Sequence, residues 1–233
     1  MVIMSKSQSK KNTRSSGFTL IELLVVISII GILMGIIGPK VFDLLGGSKA
    51  TKTQAVFKSW ITQLYQYNEH YKYFPPFLLQ DEEGEAVLLS EDDANHDKFL
   101  AALKGKKWNS TSLTWESLSG EFLDENRKSR EFHSFSEDEF GEEGYLADAW
   151  GGRDIYIVVD QDGDGLIELS SSTGEKIIQA LKRENDPDIV EEARDKLLVI
   201  RDKVGIFVLN DLSGETDTQN VFSWNVSKYL GDE

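Results

Sequence analysis

The sequence predicts an α+β fold, with a long N-terminal membrane-spanning helix packed on a small, mostly antiparallel sheet. Three observations predict it. An apolar run covers Phe18 to Gly38 and passes into an amphipathic helical pattern that reaches about Tyr71. Short β-branched segments, parted by Gly- and Asp-rich turns, fill the last third of the chain. Between them lies a stretch rich in acids with little periodicity of either kind.

The apolar run holds 21 residues, and Glu22 is its single charge. As a helix it reaches roughly 32 Å, enough for a hydrocarbon core of about 30 Å. Lys6, Lys10, Lys11 and Arg14 precede it with no acid before Glu22. Basic flanks stay on the cytoplasmic side, so the expected topology is single-pass, N-terminus cytoplasmic and the rest outside. The run is too long for a signal-peptide core and no A-x-A-like site follows it. A carboxylate near the start of such a helix is costly unless paired, which marks Glu22 as functional.

Pro39 ends the run with an expected kink, and Gly46-Gly47 are a second weak point. Beyond them Ala55, Val56, Trp60, Ile61, Leu64, Tyr65 and Tyr71 mark a buried stripe, opposed by Lys49, Lys52, Lys58 and Gln63. The divisions expected are therefore 1–17, 18–38 in the membrane, 39–73 as the outer amphipathic half, and an α+β domain over 74–233.

Residues 75–150 carry 19 acids against 7 bases. A helix is expected from a Ser90 cap through Leu103, with Phe99, Leu100 and Leu103 buried and Gly105 beyond its end. From Asn109 to Leu146 the pattern reads as a surface loop with one short helix, and its acids as a solvated face. Residues 155–159 and 166–169 read as strands. Ser172-Thr-Gly-Glu175 reads as a capping box, and Asp186-Pro187 as a cap and first residue of a helix to about Lys196. Residues 197–200, 204–209 and 221–224 complete the strands.

Asp160-Gln-Asp162-Gly-Asp164-Gly165 carries carboxylates at alternate positions with glycine at the sixth, a pattern that converges oxygens on a hard cation such as calcium. Glu168 stands in for the missing twelfth-position glutamate, where Ser171 falls. The alternative is a polar hairpin turn, which Asp-Gly pairs favour on their own. A formal charge of −15 argues against nucleic acid as a partner. No cysteine is present, so no disulfide staples the fold. No G-x-S-x-G, H-E-x-x-H or Walker loop occurs, so no enzymatic activity and no catalytic residue is expected. His70, His96 and His133 lack metal-ligand spacing and read as surface residues.

Gly17-Phe18-Thr19-Leu20-Ile21-Glu22 with the apolar helix behind them resembles the type IV pilin-like proteins. The resemblance implies that residues 1–17 are a leader, cut after Gly17 by a prepilin peptidase, and that the new amine of Phe18 is methylated. Loss of the leader's four cations would take the formal charge from −15 to −19. In that setting the Glu22 carboxylate of one subunit would pair with the Phe18 amine of a neighbour and set register in a filament. Thr53-Gln54, Leu64-Tyr65, Tyr73-Phe-Pro75-Pro76 and Asp148-Ala-Trp150-Gly151 extend the likeness to the pseudopilins of type II secretion, most of all the major, G-type subunit. It implies an inner-membrane protein with a periplasmic C-terminal domain, self-assembling with other pseudopilins into a short filament that drives protein export. The alternative is a type IV pilus subunit for adhesion or motility. Against the family, residues of about 77–147 look like an acidic insertion. The loop Asn210 to Asp217 resembles the calcium loop of the major pseudopilins, making Asp211 and Asp217 secondary ligand candidates beside a plain acidic loop.

Overall fold

In the computed structural model residues 20–209 and 219–231 are described, residue 22 and residues 31–48 by backbone alone. Gly17, Phe18, Asp211 and Asp217 lie outside these residues, as does the side chain of Glu22. The chain divides into two units, Met1–Leu44 and Leu45–Glu233. Helix α1 covers Leu20–Tyr71 and ends where the sequence places it. In the first unit Leu20, Ile21, Leu23–Ile27, Ile29 and Ile30 are all exposed, so among the described side chains of this stretch only Ser28 is polar. Among the described residues no helix is long and apolar enough to cross a membrane, and part of the 18–38 span falls outside them.

The second unit is built on a four-stranded antiparallel sheet. Its strands are β1 (Val87–Leu88), β4 (Ile155–Val159), β7 (Val204–Val208) and β8 (Val221–Phe222), paired in the order β1-β4-β7-β8. Between β1 and β4 come α2 (Asp93–Lys104), β2 (Lys107–Asn109), β3 (Thr114–Glu116) and α3 (Phe122–Glu125). Between β4 and β7 come β5 (Ile167–Glu168), α4 (Ser171–Glu184), α5 (Pro187–Glu192), α6 (Arg194–Leu197) and β6 (Val199–Ile200), and α7 (Ser227–Leu230) follows β8.

The central pair reads as unbroken apolar sequence because both of its faces are covered. Ile155, Ile157 and Val159 of β4 join Val204, Ile206 and Val208 of β7 against Phe57, Trp60, Ile61 and Leu64 of α1. Val158 and Phe207 face the other way, onto Ile177, Ile178 and Leu181 of α4, with Tyr156 stacked on Phe207. Side chains alternate across a strand, so one register, Ile157 opposite Ile206, sorts both layers at once. Each large side chain taken fully from water contributes about 1.5–3 kcal/mol. The expectation of a helix on one face of a sheet is thereby extended to helix, sheet and helices.

Several local expectations shift. The cap of α2 is Asp92, whose carboxylate accepts from Asn95 N at 2.6 Å, while Ser90 instead donates to Asp154. Gly105 ends that helix in the left-handed region at φ 69°. The cap of α4 is Ser170, accepting from Thr173 N at 3.1 Å, and Ser172 lies within the helix. Asp186 and Pro187 open α5 as expected, but the helix breaks at Ala193 and Leu197 belongs to α6 rather than to a strand.

The largest correction concerns residues 109–146: many of their side chains are exposed and one short helix is present, as expected, but residues 126–149 form a strap anchored by buried polar groups rather than a plain surface loop. Trp108 and Trp115 meet across the β2–β3 hairpin with ring centroids 4.8 Å apart. Asn126 is fully buried: its Nδ2 donates to Ala102 O at 2.8 Å and Arg130 O at 2.7 Å, and its Oδ1 accepts from Tyr71 at 2.7 Å. Phe132 then lies by Tyr67 and Tyr71, Glu139 accepts from Trp60 Nε1 at 2.6 Å, and Ala149 N donates to Thr53 at 3.0 Å. The strap thus runs back along α1 from its last turn to Thr53. Glu139 and Glu125 are buried, not solvated. Nor are two of the histidines surface residues. His96 is 2% exposed and accepts from Leu146 N at 3.0 Å, and His133 bonds Glu139 at 2.9 Å.

Candidate functional site

The loop between β4 and β5 begins where Asp160 N donates to Lys203 O, extending the β4–β7 ladder by one bond. That anchor buries Asp160 and turns its carboxylate back over the loop. Gly163 N and Gly165 N donate to its two oxygens at 2.7 and 2.9 Å. Both glycines have positive φ, 82° and 87°, so the tight return needs residues without a Cβ. Asp164 N donates to Asp162 at 3.0 Å and Leu166 N to Asp164 at 2.7 Å. Backbone donors therefore fix each carboxylate while leaving lone pairs free, since a carboxylate accepts up to four hydrogen bonds.

One oxygen from each of Asp160, Asp162 and Asp164 lies within 4.8 Å of the others. Two unit charges at that separation repel by roughly 1–3 kcal/mol, between the water and protein-surface limits. A divalent cation would remove that repulsion, and an all-oxygen donor set suits calcium. Glu168 is exposed on β5 and is not part of this convergent group. An open recess of about 280 Å³, lined also by Lys72, Tyr73 and Lys203, borders Asp160 and Asp162 and leaves the cluster reachable from solvent.

Sequence reasoning missed Glu83. Glu83 is exposed, and the negative charge of Asp162, then slight loss of hydration, then Asp164, Asp160 and Glu168 push its carboxyl above the ordinary value. The turn that carries it is held close: Gly84 O accepts from Ser170 N at 3.0 Å, and a Cβ on Gly84 would lie 1.8 Å from Glu168 O. The acidic run Asp81-Glu82-Glu83 was visible, but its nearness to residues 160–164 is a product of tertiary packing.

The Asp148 turn is also built as a unit. Asp148 Oδ1 accepts from Trp150 N and Gly152 N, both at 2.8 Å, and Trp150 is half-buried against the α1 side of the core. Burial pushes the Asp148 carboxyl up, more than these backbone donors pull it down.

Residues 12–38 match the family model described as the prokaryotic N-terminal methylation motif. No curated protein and no solved structure matches the chain. The motif is typical of membrane-anchored proteins and implies processing by a prepilin peptidase and pilin-like assembly. An α+β unit with a small antiparallel sheet behind an N-terminal helix is consistent with a pilin-like fold. The N-terminal segment thus supports a type IV pilin-like protein, pseudopilin or pilus subunit.

Proposed function

We propose that this chain is a pseudopilin of a type II secretion system, anchored in the inner membrane with its globular unit in the periplasm. The observation that carries the reading is the methylation motif over residues 12–38, set on a helix whose Leu20–Ile30 stretch exposes nine large apolar side chains. Such a surface is stable only in lipid or against like helices. Peptidase cleavage after Gly17 frees the Phe18 amine, and methylation keeps it a cation. Glu22 of a neighbouring subunit neutralises it in a low-dielectric setting, which fixes the stagger between helices. Extraction and stacking of subunits then build a short filament with other pseudopilins, and its growth pushes a cargo protein outward. The chain's work is mechanical and needs no catalytic residue.

Calcium belongs to this reading as a structural ion. Asp160, Asp162 and Asp164 fit it by donor type and convergence, with Glu168 exposed on β5 and Glu83 near enough to feel their charge. Asp211 and Asp217 are the alternative ligands. The ion would lock the tight return of the β4–β5 loop, whose three carboxylates it would gather.

Glu22→Ala tests the assembly step. Insertion and cleavage should proceed, since apolar residues dominate the segment, while cross-linking between subunits drops at unchanged membrane abundance. Normal polymerisation of Glu22→Ala would remove the pairing role.

A further inference from the structure

The strap of residues 126–149 separates charge along its length. At the Tyr71 end, Arg127, Lys128 and Arg130 are joined by Lys106, because Gly105 is pressed against the backbone of Ser129 and Arg130. Lys128 lies over the ring of Tyr71 and Arg130 over that of Phe132, which holds both cations outward on aromatic faces. Arg127 is paired with Asp124 and Lys104 with Glu131, but among the described residues Lys106, Lys128 and Arg130 have no carboxylate in ion-pair contact. At the Thr53 end, Glu137, Asp138, Glu142, Glu143 and Asp148 outnumber Lys52 and Arg153 around an open cleft of about 620 Å³ lined also by Tyr145 and Trp150. Glu143 is engaged by Arg153, while Glu137, Asp138 and Glu142 have no cation in ion-pair contact among the described residues.

The two ends are separated by the 18 helical steps from Thr53 to Tyr71, about 27 Å along the axis. One end of an otherwise acidic chain is therefore basic, and the other concentrates acids around a concave surface. Each set is only partly neutralised within the chain, since Arg127 is paired with Asp124 and Glu143 with Arg153, and what is left of each is the complement of the other. Two chains anchored by the same N-terminal helices point the same way, which excludes an antiparallel twofold pairing. This step rests on the membrane-anchored reading above.

We propose that the basic cluster at the Tyr71 end of one copy docks in the acidic cleft of the next. The contact is head-to-tail and so repeats without closing, as a filament requires. Its partner is a second copy of this chain, and its charges set orientation and approach.

The chain has no cysteine, so introduced ones report without background. Lys106→Cys with Glu142→Cys in one full-length chain, treated with a bismaleimide in isolated membranes, should give a ladder of dimer, trimer and larger species. Either cysteine alone should leave monomer. Adding Lys128→Glu with Arg130→Glu should lower the ladder at least about tenfold, and Glu137→Lys with Asp138→Lys in the same chain should restore it. Restoration shows that the reversed chain folds. No ladder, a dimer that does not grow, or a ladder indifferent to charge reversal overturns the contact. A separate Ser28→Cys chain reports whether the N-terminal helices meet. If they do while the ladder is absent, only the end-to-end contact falls; if they do not, the filament reading falls with it.

Discussion

Replacing Glu125 by glutamine should stabilise the globular unit at pH 8 and change it much less at pH 5. Glu125 is 4% exposed, and its Oε2 accepts a single long bond from Phe77 N at 3.2 Å. Burial is the main force on it, weakened by Phe77 N and by Lys98 of α2, and reinforced by Asp124 and Glu121. Lys98 is itself engaged by Glu121 at 3.6 Å. The carboxyl is pushed from 4.5 up to about 7. The folded state therefore holds the proton more tightly than the unfolded one. The stabilisation is complete below pH 4.5 and is lost as pH rises to about 7. At about 1.36 kcal/mol per unit the loss approaches roughly 3 kcal/mol, of which about 2.5 kcal/mol falls between pH 5 and pH 8. Glutamine carries no charge and keeps a carbonyl oxygen for Phe77 N. At pH 8 the variant should therefore melt roughly 5–10 °C above the parent. All five tryptophans lie at or beyond residue 60, so their fluorescence in the detergent-solubilised full chain follows this unit alone. An equal or lower melting temperature for Glu125→Gln at pH 8 would refute the argument.

Glu139→Ala should cost about 3–5 kcal/mol at neutral pH, because it strands the Trp60 indole N–H and removes the partner of His133; urea titration measures it, and a cost under 1 kcal/mol would mean the strap is not clamped there. Burial pushes the Glu139 carboxyl up, but hydrogen bonds from His133, Ser136 and Trp60 outweigh it and leave the value depressed. Its contribution should therefore be present above pH 4.5 and fade as acid protonates it, the reverse of Glu125. Calcium at a hundredfold excess over Kd should add about 2.7 kcal/mol of stability, with magnesium far weaker. Asp162→Ala with Asp164→Ala should abolish that shift; survival of the shift moves the site to Asp211 and Asp217, and no shift in the parent chain rules out both.

Legibility in the sequence followed the range of the interactions. The end of α1 at Tyr71, the strands β4 and β7 and the opening of α5 were readable because periodicity and caps act within a few residues. Caps were misplaced by two positions at Asp92 and Ser170 because several candidate oxygens stand in a row, and packing selects among them. The strap was unreadable for a different reason. Glu139 and Asn126 look like any surface polar residue until Trp60 and Tyr71, more than fifty positions away, satisfy them. The same holds for His96, buried by a bond to Leu146 N. At the candidate metal centre the three convergent aspartates were legible from their alternate spacing, whereas the charge they exert on Glu83 arises only through the close approach of Gly84 to β5.

The central claim is that the motif over residues 12–38 is a processing and assembly signal. Intact-mass measurement of the protein from membranes of a host with a prepilin peptidase tests it most directly. The account predicts a chain beginning at Phe18, heavier by about 14 Da for one methyl group, and accumulation of the longer precursor in Gly17→Val. A membrane-inserted chain that still begins at Met1 in that host would contradict it.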